Sequence, residues 1–133
     1  LALAKRFVKN QFQKDLKGIY KPSSRARAEG LKAISYKLIV TYEPVWAISD
    51  GRSDTKGRAD TPESAAEMIS FVKKTLLAKP YWLNPRIIYG GSVNGRDAKD
   101  FLRRREINGA LVGGASLRPK EFQQIISIAS RLT

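Results

Sequence analysis

Residues Lys37 to Gly51 read KLIVTYEPVWAISDG, and the two halves of this stretch differ in kind. Leu38-Ile39-Val40 is a short apolar run, continued by Thr41-Tyr42. A β-branched run of this length reads as a buried strand of a parallel sheet. It ends in Glu43-Pro44. A carboxylate at the end of a buried strand is costly unless it has a partner or a task. Pro44 keeps the residue before it out of the helical region, so Glu43 is held extended and its carboxylate is aimed. Val45 to Ile48 is apolar, and Ser49-Asp50-Gly51 is small and polar. A stiff apolar base with a small-residue tip suits a loop that closes over a site. The plainer alternative is a strand followed by a surface loop with a solvated glutamate.

Outward from this stretch the chain alternates. Leu1 to about Leu16 is predicted to be an amphipathic helix, because Ala4, Val8, Phe12 and Leu16 recur every four residues. Ile19 extends that stripe, and Gly18 is a plausible stop. Tyr20 to Ser35 is a basic connector in which Pro22-Ser23-Ser24 can open a short helix to about Leu31. Thr61-Pro62 opens the next helix: Thr61 caps, Pro62 suits the first position and Glu63 complements the helix dipole. Its inward stripe is Ala65, Ile69, Val72 and Leu76, with Met68 beside them, and it ends before Pro80. Tyr81-Trp82-Leu83 reads as a packed loop. Arg86 to Tyr89 is a second buried strand. Asn94 caps a helix to about Arg105, with Ala98, Phe101 and Leu102 inward. Ala110-Leu111-Val112 is a third strand. Pro119 opens a last helix with Phe122, Ile125, Ile126, Ile128 and Ala129 inward. Such alternation predicts parallel βα units, hence an α/β fold with three parallel strands and four main helices.

Three stretches carry a resemblance. Tyr42-Glu43-Pro44-Val45-Trp46-Ala47-Ile48, Ile88-Tyr89-Gly90-Gly91-Ser92-Val93-Asn94 and Leu111-Val112-Gly113-Gly114-Ala115-Ser116 come in order and suitably spaced. They resemble the strand-6 lid segment and the loops after strands 7 and 8 of the triosephosphate isomerase family. The resemblance is clear from about Leu38 onward and weaker over the first helix. It implies the C-terminal half of a TIM (β/α)8 barrel, with residues 1–133 as one partial domain from helix 5 through helix 8. A whole barrel takes roughly 250 residues. Leu1 as first residue and Met68 as the sole methionine fit the same expectation, that a longer product's N-terminal half is absent.

In these barrels active sites sit at the C-terminal ends of the strands, where all three motifs fall. Glu43 is the candidate catalytic base; closing an apolar lid over a carboxylate removes water and strengthens it as a base. By resemblance, Glu43 shuttles a proton between the two carbons that interconvert glyceraldehyde 3-phosphate and dihydroxyacetone phosphate, the known chemistry of that family. Glycine turns let a backbone approach a phosphate and point its N–H groups at it. The resemblance assigns the phosphate to the amides of Ser49, Ser92, Gly113 and Gly114. At Ser49 the family usually has glycine, and after Gly51 this chain carries an insertion through about Asp60. Arg52 and Arg58 read as exposed loop charges. The family's electrophilic histidine and lysine come from its N-terminal half and have no counterpart here, so the chain alone is expected to be inactive.

The chain has no histidine and no cysteine, which excludes a disulfide, a thiolate metal site and histidine acid–base chemistry. No cofactor and no metal are expected. The net charge of +13 favours anionic partners, but the basic residues are dispersed over predicted helix faces. No specific nucleic-acid or membrane partner is expected, and the cytoplasm is the expected compartment. The implied partners are a triose phosphate, the complementary N-terminal half-barrel and a family homodimer built mostly from that half. Two other readings remain: a phosphate- or polyanion-binding half-barrel module without catalysis, and a chain that completes a barrel with another protein.

Overall fold

The computed structural model of the chain describes residues 2–17, 38–47, 60–78 and 85–132. The expected stop at Gly18, the stripe residue Ile19, the helix after Pro22, Ile48, the tip at Ser49, the insertion from Arg52 to Arg58 and the Tyr81-Trp82-Leu83 loop lie outside these residues. In order the elements are α1 (Ala2–Asp15), β1 (Ile39–Tyr42), a 3-10 turn (Val45–Ala47), α2 (Pro62–Leu77), β2 (Arg86–Tyr89), α3 (Ala98–Leu102), a second 3-10 turn (Gly114–Leu117) and α4 (Pro119–Ser130). Strands and helices alternate, which makes the fold α/β.

β1 and β2 pair as neighbours. The Arg86 amide donates to the Leu38 carbonyl at 3.3 Å and the Gly90 amide to Tyr42 at 2.9 Å. The same offset at both ends of the ladder means the strands run parallel. The third strand shortens to one parallel bridge, Tyr89 with Ala110. It is framed by Tyr89 N–H to Gly109 and Leu111 N–H to Tyr89, at 3.0 and 2.8 Å. The expected run through Val112 does not continue as a strand, because the glycine pair at 113 and 114 turns the chain into the second 3-10 turn. Burial also departs from expectation. In β1 only Tyr42 is buried and Ile39 is 57% exposed; among the described residues β1 pairs with β2 alone. In β2, Ile87 and Tyr89 are buried while Arg86 is exposed.

The chain divides into two compact units. One comprises Leu1–Ile39 with Ser70–Arg86. In it the ammonium of Lys5 lies 5.7 Å from the centre of the Phe71 ring, a cation–π contact. Val72, Leu76 and Pro85 are fully buried. The predicted stripe of α1 is its drier side, but no α1 residue is buried. One apolar residue per turn makes too narrow a face; a core-facing helix carries about three or four in two turns.

The other unit comprises Val40–Ile69 with Ile87–Thr133 and holds most of the buried side chains. α2 opens as its sequence implies: the Ser64 amide donates to Thr61 Oγ1 at 3.1 Å, with Pro62 and Glu63 in the first turn. Ala65, Met68 and Ile69 are buried. Tyr89 stacks on Phe101 with ring centres 4.4 Å apart. Arg104 pairs with Glu63 at the start of α2. α3 is shorter than predicted: Asn94 Oδ1 accepts from the amides of Arg96 and Asp97 and closes a turn, so the helix begins at Ala98, and it ends at Leu102, where the Arg104 amide turns back to the Phe101 carbonyl. In α4 only Ile125 is buried, while Phe122 and Ile126 are exposed, against the expected inward face. The helix is rolled toward the side bearing Glu121 and Gln124, whose side chains both bond to Gly95.

Candidate active site

Glu43 follows β1 directly, at the strand's C-terminal end, and is exposed. Pro44 behind it is buried, and its carbonyl accepts the Ala47 amide at 2.8 Å, which closes the first 3-10 turn. Ala47 is buried, whereas Val45 is 80% exposed. Across from Glu43 lies Gly90, the first residue after β2. A Cβ built at Gly90 would stand 2.6 Å from Glu43 Cγ and 2.6 Å from Thr41 Cγ2, so the carboxylate's stem lies against a position that admits only glycine. At Gly91 a side chain would collide with the phenol of Tyr89.

Glu43, Gly90 and Gly91 border a cleft of about 500 Å3. Glu43, Ser92, Gly113 and Gly114 all line it. Four of the five residues read from the sequence are thus brought to one cavity, and Ser49 lies outside the described residues. Nothing stands within 4 Å of a Cβ built on Gly113 or Gly114, so their backbone is open toward solvent. Neither amide donates a backbone hydrogen bond to another described residue. Ser92 is different: its amide donates to the Ala47 carbonyl at 2.8 Å. That bond ties the loop after β2 to the 3-10 turn that follows Glu43 and Pro44. Among the described residues no group of three or more His, Cys, Asp or Glu side chains could hold a metal.

The cleft also holds Asn94, Arg96, Arg118 and Glu121, which sequence reasoning did not single out as functional. A signal was there: Arg118 and Glu121 stand three apart across Pro119, at the start of the last helix and a few residues past the second glycine pair, close to where such barrels hold phosphate. Arg118 Nε donates to Glu121 Oε2, and this bond, with the Gly95 amide second, holds the Glu121 carboxyl below the usual carboxylate range. Asp97 is pushed the other way, up, chiefly by burial. Beneath the cleft, burial and then the charge of Asp60 push the Tyr42 phenol up to about 12. Tyr89 is raised further, again by burial first and Asp60 second.

The family model described as triosephosphate isomerase matches residues 4–129. The chain belongs to the triosephosphate isomerase family. Among relatives, the triosephosphate isomerase of Aquifex aeolicus is 42% identical over 103 residues, covering 73% of this chain and 38% of that protein. That of Dictyoglomus turgidum is 41% identical over 90 residues, 68% of this chain and 35% of its own length. That of Mycoplasmoides gallisepticum is 38% identical over 122 residues, 92% and 43%. The chain therefore spans less than half the length of each. In triosephosphate isomerase terms the α/β fold described above is part of the family's barrel. No helix among the described residues is long and apolar enough to cross a membrane.

Proposed function

We propose that this chain supplies the catalytic base and the phosphate cradle of a triosephosphate isomerase, and that it works when completed by an N-terminal half-barrel. One observation carries the reading: Glu43 shares a single cleft with Ser92, Gly113 and Gly114. A base and a cluster of phosphate-directed amides in one cavity is what proton transfer on a phosphorylated substrate requires. Glu43 takes the proton from the carbon beside the carbonyl and returns it to the neighbouring carbon. The open amides of Gly113 and Gly114 receive the phosphate. Ser92 offers its hydroxyl, because its amide is engaged with Ala47; Ser49 of the lid adds a fourth donor. The electrophile that polarises the carbonyl comes from the completing half, since this chain has no histidine. We place the pairing of two such barrels as a homodimer, and a cytoplasmic location, in the same proposal.

The test is reconstitution. The isolated chain is expected not to isomerise glyceraldehyde 3-phosphate, and adding a complementary N-terminal half to restore turnover. In the assembly, Glu43→Gln should remove most of the rate and leave phosphate affinity nearly intact, because the base acts in the transition state and the amides hold the ground state. Isomerase activity from the chain alone, or a reconstituted enzyme indifferent to Glu43→Gln, would refute this reading. Phosphate binding without restored turnover would favour a binding module, a reading to which Arg96 and Arg118 on the cleft wall lend some support.

A further inference from the structure

We infer that Glu121 is a positioning residue that ties the two glycine-rich loops, residues 90–95 and 113–118, to one face of α4 and so presets their spacing. The inference rests on reading the cleft as a phosphate site. Glu121 Oε1 accepts from the Gly95 amide at 3.3 Å, at the end of the first loop. Its other oxygen accepts from Arg118 Nε, at the end of the second. Gln124 donates to the Gly95 carbonyl at 3.1 Å, so both polar groups of Gly95 are engaged by α4. Glu121 and Gln124 stand three apart on one side of α4, and Arg118 is the extended residue just before the helix. A Cβ on Gly95 would meet the terminal amide of Gln124, so a larger residue there would displace the Gln124 side chain from its bond to the loop.

Beyond the Gly90 amide, which closes the β1–β2 ladder, neither loop is held by strand pairing. The first is anchored by Ser92 to Ala47 and by the Asn94–Asp97 turn, the second by the turn bonds of Ser116 and Arg118. The carboxylate of Glu121 supplies the bond shared between them, and bonds to an ionised acceptor are the stronger kind. A carboxylate beside a phosphate would otherwise be a liability, since like charges repel. Pairing with Arg118 offsets that charge, and the residue's contribution is then geometric: amides that grip a phosphate act together only when their spacing is held.

Geometry and charge predict opposite signs, which makes the inference testable. The full chain, Glu121→Ala and Glu121→Gln are titrated with inorganic phosphate, and amide hydrogen exchange is followed by NMR. If Glu121 positions the loops, Glu121→Ala weakens phosphate binding about fivefold, the worth of a typical hydrogen bond. Exchange then accelerates at both Gly95 and Ser116, one in each loop. Glu121→Gln keeps an acceptor for Gly95 and so retains Gly95 protection and most of the affinity. If Glu121 acted only through its charge, both variants would bind phosphate more tightly, and that result overturns the inference. Unchanged exchange at Gly95 and Ser116 in Glu121→Ala also overturns it. Should the unsubstituted chain not bind phosphate, the cleft reading fails, and the exchange data alone still decide whether Glu121 joins the loops.

Discussion

Gly90 and Glu43 are fitted to each other. A methyl at Gly90 would stand 2.6 Å from both Glu43 Cγ and Thr41 Cγ2, so Gly90→Ala must push the carboxylate's stem or part the strands. We expect a loss of about 1–3 kcal/mol in stability, the usual cost of overpacking, read from urea unfolding. In a reconstituted enzyme the same change should lower turnover more than phosphate affinity. The two tyrosines beneath the cleft give a pH signature. Tyr42 titrates near 12 in the fold, and Tyr89 is also raised, because burial disfavours the phenolate. Unfolded tyrosine ionises near 10, so between about pH 10 and 12 the unfolded chain gives up protons that the folded chain keeps. Stability is therefore full below pH 10 and falls as pH rises through that window. Unfolding followed by circular dichroism at stepped alkaline pH should show the decline, and Tyr42→Phe should blunt it. A flat profile would mean that neither phenol is held neutral by the fold.

At the level of elements, the start of α2 is held by a side-chain cap. Thr61 Oγ1 accepts the Ser64 amide, and the Thr61 carbonyl accepts Ala65 at 2.9 Å. Thr61→Ala should cost about 1 kcal/mol, the typical loss for a removed helix cap, while Thr61→Ser should cost little. Equal losses in both variants, by denaturant unfolding, would show that the hydroxyl is not what holds this end. The roll of α4 shows how polar contacts set the burial of an apolar face. Its apolar residues mark out an inward side by spacing alone, yet the bonds of Glu121 and Gln124 to Gly95 leave Phe122 and Ile126 exposed. α3 is shortened for a related reason, since the side chain of Asn94 turns the chain over residues that periodicity assigns to the helix.

For the whole molecule, exposed apolar side chains and short strands outweigh the favourable charge. Leu3 and Phe7 on α1, Ile39 on β1 and Ile126 on α4 are each more than half exposed. Among the described residues β1 has a partner on one side only, and an unpaired strand edge is a template for association. We predict a self-associating, weakly cooperative chain, as read by light scattering together with thermal unfolding; a monomer with one sharp transition would count against it. A net charge of +13 slows association at low salt, so self-association should increase as salt is added. The sequence by itself determined the order of elements, the helix start at Thr61-Pro62, the span of β2 and the three loop motifs. Each of these rests on local chemistry: capping, φ restriction, β-branched runs and glycine. The tertiary structure alone decided which faces are dry, where the third strand stops, and that Arg118 and Glu121 join Glu43, Ser92, Gly113 and Gly114 in the cleft. These depend on contacts between residues far apart in the chain, such as Gly95 with Glu121 or Gly90 with Glu43, and no periodicity within a single stretch encodes them.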